Sequence, residues 1–386
     1  MEMSRRAFLA SGTLLLAGCL DSPETDGWRS YGRDRTNAAH AEGDAPSGDA
    51  HTTVEVGTVE SSPAVVDTRA YVGTVDGGVV AVEIEGTHGD GGNGGNGDEE
   101  PTVDWTYTTD GAVSSPAVER GNVYFGTDEG TFTCVGADDG SMLWEQTTGA
   151  VRSSPTVAGG RVFFGDEDGV VWALDAAGGS GSWAYDTGDA VRCAPAVAEG
   201  RVFAVNIDGH LHAVHATLGE ADWTYEAGAG VVSSPAYSDG RVFFGDEDGT
   251  VHAVRTGGNM DGDASEEGEA VWTASMDDSV RTSPAVAEGA VYVGSSDGVL
   301  RSFDAEGGER EWTYETDARF VSSLAVVDGH VLVGDDDGVL HAVDTETGES
   351  IWSYDSGDGA VASPAVDGGR ALFGTDNDDG FLHVVV

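Results

Sequence analysis

Four histidines, His212, His252, His341 and His383, recur at one position of a repeating pattern, and His210 stands two residues before the first of them. In a strand, His210 and His212 would share a face, an arrangement suited to a transition metal, although a third ligand is missing. Other copies of the pattern hold Val80, Thr133, Trp172 or Arg301 at this position, so the histidines belong to separate units and are read as a polar sheet face. Aspartates cluster in DEDG and DDDG segments, including Asp166, Asp168, Asp246, Asp248, Asp335 and Asp337. Their oxygens suit calcium, but each turn lacks the full ligand count of a calcium loop, and solvated turns are expected. Arg152, Arg192 and Arg281 each stand three residues before an aligned proline. A guanidinium fork matches carboxylates and other anions, so these three form a candidate ligand or partner rim, with pairing to nearby Asp or Glu as the plainer alternative. Cys134 and Cys193 are read as two buried free thiols, a disulfide being the alternative.

The elements that must position these groups repeat. RVFFGDEDG occurs at Arg161 to Gly169 and again at Arg241 to Gly249. The motif SSPAV aligns eight copies, at Pro63, Pro116, Pro155, Pro195, Pro235, Pro284, Leu324 and Pro364, with steps of 53, 39, 40, 40, 49, 40 and 40. Both long steps contain acidic, glycine-rich insertions, Gly86 to Glu100 and Gly257 to Glu269, which cannot bury enough apolar surface to order themselves and are expected on exposed loops. Within a repeat, short β-branched and aromatic runs alternate with glycine and aspartate turns, and no helical period of useful length appears. Four antiparallel strands per 40-residue unit predict a propeller blade, with the DEDG-type turns joining its second and third strands. The eighth unit stops after FLHVVV without an outer strand, and Thr52 to Val56 is expected to cross the seam and complete it.

Composition bounds the setting. The 386 residues carry 69 acidic and 18 basic side chains, all of the latter arginine, for a formal net charge of −51. Self-repulsion of that size weakens a compact state in dilute buffer, whereas in molar salt the Debye length falls to roughly 3 Å. The acids are spread through the chain, a pattern read as adaptation to high salt, and nucleic acid is excluded as a partner by charge. At the N-terminus, SRRAFLASGTLLLAGC resembles a twin-arginine export signal ending in a lipobox, with Cys19 as the lipid attachment point and an uncleaved membrane anchor as the alternative.

The segment AVDTETGESIW, Ala342 to Trp352, resembles the tryptophan-docking motif of pyrroloquinoline-quinone (PQQ) repeat propellers, and related copies place Trp105, Trp144, Trp183, Trp223, Trp272 and Trp312 in register with Trp352. WRSYGRDRTN, Trp28 to Asn37, is similar to the stretch that often opens such propellers. The resemblance implies that each tryptophan stacks between an alanine of its own blade and a glycine peptide of the next. It also implies a choice of roles. In the quinoprotein dehydrogenases of this family, PQQ sits near the axis with calcium, a catalytic aspartate and a disulfide between adjacent cysteines. This chain has no adjacent cysteine pair, lacks their long insertions and offers no residue that matches their calcium ligands.

The expectation is therefore an all-β, eight-bladed propeller over residues 52–386, behind a signal peptide at 1–18 and a lipidated linker at 19–51. It is expected to be an exported monomer, held at the outer face of the cytoplasmic membrane by its lipid, acting as a non-catalytic protein-binding or assembly scaffold like the BamB lipoproteins. No resident cofactor is expected, PQQ and calcium being the candidates otherwise. A PQQ-dependent redox enzyme and a small-anion or solute-binding module are the alternatives.

Overall fold

The computed structural model describes residues 37–41, 43–48, 50–84, 100–257, 267–357, 359–376 and 380–386. Eight four-stranded antiparallel sheets form a ring, and no helix occurs among the described residues. Each blade runs from an inner three-residue strand, such as Thr156–Ala158, through Arg161–Gly165 and Val170–Asp175 to an outer strand, here Gly181–Asp186. The second and third strands are almost wholly buried, while the outer strands alternate exposed and half-buried residues. Core side chains therefore lie between blades, which is how a flat antiparallel sheet hides both faces.

The repeated nonapeptide now has a residue-by-residue account. Val162, Phe163 and Phe164 are buried between blades. Gly165 ends the strand against Val191 of the next blade, where a Cβ would collide with the valine side chain. Gly169, at φ +83°, closes the turn in the left-handed region that favours glycine. The second copy repeats this with Gly245 against Val280 and Gly249 at φ +81°.

Ring closure follows the expected route, one residue earlier at its start. Strand His51–Glu55 pairs antiparallel with Phe381–Val385, with Thr53 opposite His383, so the two ends of the ring share blade 8. The segment read as a linker begins to contribute before that strand. Gly48 receives the indole of Trp352, and the Trp352 N–H donates to the Pro46 carbonyl at 2.9 Å. Still earlier, His40–Ala41 pairs in parallel with the inner strand of blade 7. Cys19, the remainder of the export signal, Gly86 to Glu99 and most of the second insertion lie outside the described residues.

Tryptophan docking links seven of the eight blade junctions. Trp105, Trp144, Trp183, Trp223, Trp272, Trp312 and Trp352 face Gly140, Gly179, Gly219, Gly268, Gly308, Gly348 and Gly48 in turn. Each glycine has positive φ and no room for a side chain over the indole. On its own blade the indole lies opposite an alanine at Trp105, Trp183, Trp223, Trp272 and Trp352, but opposite Cys134 at Trp144 and Ser302 at Trp312. The junction from blade 8 to blade 1 lacks both halves of the dock. Thr52 stands opposite Val384 where the tryptophan would be, and Pro101 precedes Trp105 by the four residues that elsewhere mark the glycine. There the Arg370 guanidinium donates to the Ile84 carbonyl at 3.3 Å.

Candidate functional site

Three sets of polar residues organise the blades: the arginine rim, the inter-blade histidines and the serines around the axis. The rim arginines are exposed but paired. Arg192 grips Glu167 with two bonds, Nε to Oε1 at 2.8 Å and Nη2 to Oε2 at 2.9 Å, and Arg152 approaches the same carboxylate at 3.7 Å. Arg281 meets Glu247 at 3.2 Å. Arg319, which the proline alignment passed over, meets Asp336 at 2.8 Å. Glu167 and Glu247 are the glutamates of the two DEDG turns, so each turn supplies a counter-charge to the rim. The plainer of the two sequence readings describes this geometry: the arginines bind carboxylates of their own chain.

The first aspartate of those turns departs from expectation. Asp166, Asp246 and Asp335 are buried, not solvated, while Asp168, Asp248 and Asp337 are exposed. Each buried carboxylate accepts backbone N–H groups within its own turn, for example Val170 to Asp166 at 2.9 Å and Thr250 to Asp246 at 2.7 Å. The second oxygen reaches the third strand: Trp172 Nε1 donates to Asp166 at 2.7 Å, and the Nε2 atoms of His252 and His341 lie 3.0 and 2.8 Å from Asp246 and Asp335. Burial pushes the Asp335 carboxyl up, but the His341 bond and the Val339 and Asp337 amides prevail and hold it below the ordinary aspartate value.

The histidines likewise are not an open polar face. All four are buried between blades, and each Nδ1 meets a tyrosine hydroxyl from the preceding blade's outer strand. Tyr185, Tyr225, Tyr314 and Tyr354 reach His212, His252, His341 and His383 at 3.2, 3.0, 3.1 and 3.3 Å. Tyr225–His252–Asp246 and Tyr314–His341–Asp335 are thus complete chains across a blade junction. The other two are broken, because Asn206 and Thr375 stand at the aspartate position, and the Nε2 atoms of His212 and His383 are buried without partners. Desolvation, with the nearby His210 or His51 adding to it, lowers both imidazoles to about 4. His210 points elsewhere, 3.8 Å from Asp208. Among the described residues no three His, Cys, Asp or Glu side chains converge to hold a metal ion.

The serines explain the aligning motif, a role the sequence reading did not assign. The first serine or threonine clasps its own blade: Ser153 Oγ accepts the Gly165 N–H and donates to the Gly165 carbonyl, both at 2.8 Å. The same clasp joins Ser61 to Gly73, Ser233 to Gly245, Thr282 to Gly294 and Ser322 to Gly334. The second serine links blades around the axis, its Oγ accepting the N–H of the preceding blade's counterpart. Ser62 to Ser115, Ser234 to Ser283, Ser283 to Ser323 and Ser323 to Ser363 span 2.8 to 3.0 Å. In blade 4 the pair is Cys193–Ala194, and Ala194 still donates its N–H to Ser234 at 3.0 Å.

The axis itself is occupied by the chain's own residues 37–41. Asn37 Nδ2 donates to the Ala194 carbonyl of blade 4 at 2.9 Å. The Ala38 and Ala39 carbonyls accept the N–H groups of Val286 in blade 6 and Val326 in blade 7, both at 2.8 Å. Blades 4 and 7 are three steps apart in a ring of eight, so the segment bridges the central channel between them. Asn37, Ala39 and Ala41 are buried there. A calcium-bound quinone does not fit beside this segment: the backbone and alanine side chains of residues 37–41 stand there, and among the described residues no set of acidic side chains converges to hold its calcium. The thiols of Cys134 and Cys193 are free and buried, each pushed up to about 12 by desolvation, which makes them poor nucleophiles.

This ring of tryptophan-docked, four-stranded blades defines an eight-bladed β-propeller of the PQQ-repeat class. The chain belongs to the family described as outer membrane protein assembly factor BamB, which it matches over residues 94–195, 188–264, 262–323 and 317–384. Among solved structures it is similar to BamB from Moraxella catarrhalis, at 19% identity over 87% of this chain and 97% of that one, with a TM-score of 0.68. It is also similar to a europium-containing methanol dehydrogenase, at 13% identity over 91% of this chain and 89% of the other, with a TM-score of 0.74. The quinohemoprotein alcohol dehydrogenase from Comamonas testosteroni gives 14% identity, 93% and 80% coverage and a TM-score of 0.72. At these identities the solved structures share the fold, which serves binding proteins and enzymes alike. No curated protein matches the chain by sequence.

Proposed function

We propose that this protein is an exported propeller, anchored through Cys19 to the outer face of the cytoplasmic membrane, that acts as a monomeric, non-catalytic binding or assembly scaffold for another protein. The observation that carries this reading is the bridging of the central channel by residues 37–41, bonded to blades 4, 6 and 7, near the axis where the resemblance places the cofactor of the family's dehydrogenases. Membership of the family described by a BamB assembly factor agrees with it. Arg152, Arg192 and Arg281 form the partner rim, where an incoming carboxylate exchanges with Glu167 or Glu247 at exposed ion pairs that each contribute little to the fold.

Proximity labelling from the anchored protein in intact cells should yield one recurrent neighbour, and its loss on replacing the three rim arginines with glutamine would place the contact. The redox alternative is tested by adding PQQ and calcium to purified protein and following dye-linked oxidation of alcohols or sugars. Background rates are expected, and robust turnover would overturn the scaffold reading.

Adaptation to high salt belongs to the same proposal, resting on the net charge of −51 and the absence of lysine. Dilution from molar to millimolar salt should unfold the ring as distant carboxylates begin to repel. A circular dichroism spectrum that stays constant through the dilution would defeat it.

A further inference from the structure

Residues 37–41 meet the blades largely through their backbone, bent at Asn37 and Ala39 and paired as a parallel strand only over His40 and Ala41. The Ala38 and Ala39 carbonyls take the N–H groups of Val286 and Val326, and His40 and Ala41 continue as a parallel strand against Val326 and Val327. Side-chain selection is confined to alternate positions: Ala39 and Ala41 are 4% and 3% exposed, while Ala38 and His40 are only half-buried. At His40 and Ala41 this is strand addition, where main-chain bonds supply affinity and alternate side chains supply selection, and a fully extended peptide would carry the same pairing through the bend at Ala39.

The hold is imperfect. Asn37 and Ala39 sit at φ +54° and +55°, a region that alanine rarely adopts. Asn37 Oδ1 is buried without a hydrogen-bond partner, although its Nδ2 is used. Asn37 docks at Ala194, the member of the inner ring that carries no serine hydroxyl, so the ring is altered where the segment arrives.

We infer that the inner strands of blades 6 and 7, with Ala194 of blade 4, form an axial groove for an extended peptide bearing small side chains at alternate positions, and that residues 37–41 fill it in cis. This rests on the scaffold reading and names the chemistry of its partner: an unstructured protein segment with an Ala-x-Ala pattern. Such a segment displaces the strained cis occupant and takes over the Val286 and Val326 donors. The cis segment lowers the groove's apparent affinity by the fraction of time that the groove is closed.

The test uses the full-length protein in high salt and a fluorescent peptide of residues 36–43, TNAAHAEG, as the probe. The double variant Ala39→Asp, Ala41→Asp should evict the segment and bind the probe about tenfold or more tightly than the wild type. Bound probe should protect the amides of Val286 and Val326 from hydrogen exchange. Ala39→Gly relieves the left-handed strain and should act oppositely, slowing exchange at Val326 and weakening probe binding. A folded double variant that binds no better than wild type overturns the inference, as does equal binding of a probe with both buried-position alanines replaced by leucine. Failure of the double variant to fold also overturns it, because a segment required by the ring cannot yield to a partner. These outcomes stand apart from the scaffold reading: a neighbour found by labelling without groove binding sinks only the groove, and groove binding without any recurrent neighbour sinks only the scaffold.

Discussion

Acidification from pH 7 to pH 4 should cost the ring several kcal/mol, with most of the loss falling between pH 6.5 and about 4. The cause is the pair of broken inter-blade chains. His212 and His383 are buried with Nε2 unpaired and are lowered from 6.5 to about 4 in the folded protein. A histidine whose folded value is depressed favours the folded state while neutral, so its stabilisation is complete above 6.5. It is lost as the pH falls towards the folded value, because the unfolded chain binds the proton first. A shift of this size is worth about 3 kcal/mol per histidine as an upper figure. Asp335, held low in the folded protein, adds a further loss only at more acidic pH, where its carboxylate takes up a proton. The check is denaturant unfolding at fixed high salt, followed across this range. Asn206→Asp rebuilds at His212 the partner that Asp246 gives His252 and should move the acid midpoint to lower pH. An unchanged midpoint, or constant stability down to pH 4, would refute this account of the histidines.

The histidine column shows where the sequence stopped being legible. Its recurrence at one strand position was visible, and so were the blades that keep its members apart. The aspartate lies six residues before its histidine in the same hairpin, but the tyrosine meets that imidazole only because neighbouring sheets stack face to face, and linear spacing does not encode that stacking. Asp166, Asp246 and Asp335 were misjudged for the same reason: an aspartate opening a turn reads as solvated until the next blade covers it. The ring, the blade count and the seam were legible because they rest on period and strand pattern, which survive translation into one dimension. Gly48 and Pro46 illustrate the limit. They complete the seventh dock from a stretch with no tryptophan, and the signal that could have found them was the four-residue spacing from Gly48 to Thr52 that matches Gly348 to Trp352. The plug at residues 37–41 left no such trace, since a short run of alanines carries no period.

Replacing Trp312 with alanine should lower stability by roughly 3 to 5 kcal/mol, the range for large buried aromatics. Trp312 is 9% exposed, covers Gly348 of the next blade and donates its indole N–H to the Thr345 carbonyl at 2.8 Å. Truncation removes apolar contact and leaves that carbonyl without its donor, in a junction that cannot collapse because Gly348 has no side chain to fill the gap. Phenylalanine separates the two contributions. At Trp312 it should retain much of the packing and lose the hydrogen bond, a further cost of about 1 kcal/mol. Trp223 is the natural control, because its indole nitrogen is buried without a partner. The carbonyl in the matching place, Thr256, already accepts Arg201 Nη1 at 3.1 Å. Trp223→Phe therefore removes an unsatisfied donor and should cost less than Trp312→Phe, although both indoles cover a positive-φ glycine. Arg201→Ala frees the Thr256 carbonyl for the Trp223 indole, so adding it should raise the cost of Trp223→Phe. Chemical denaturation of the single and double variants measures that coupling, and equal costs for phenylalanine at both tryptophans would show that the docks hold the ring by packing alone.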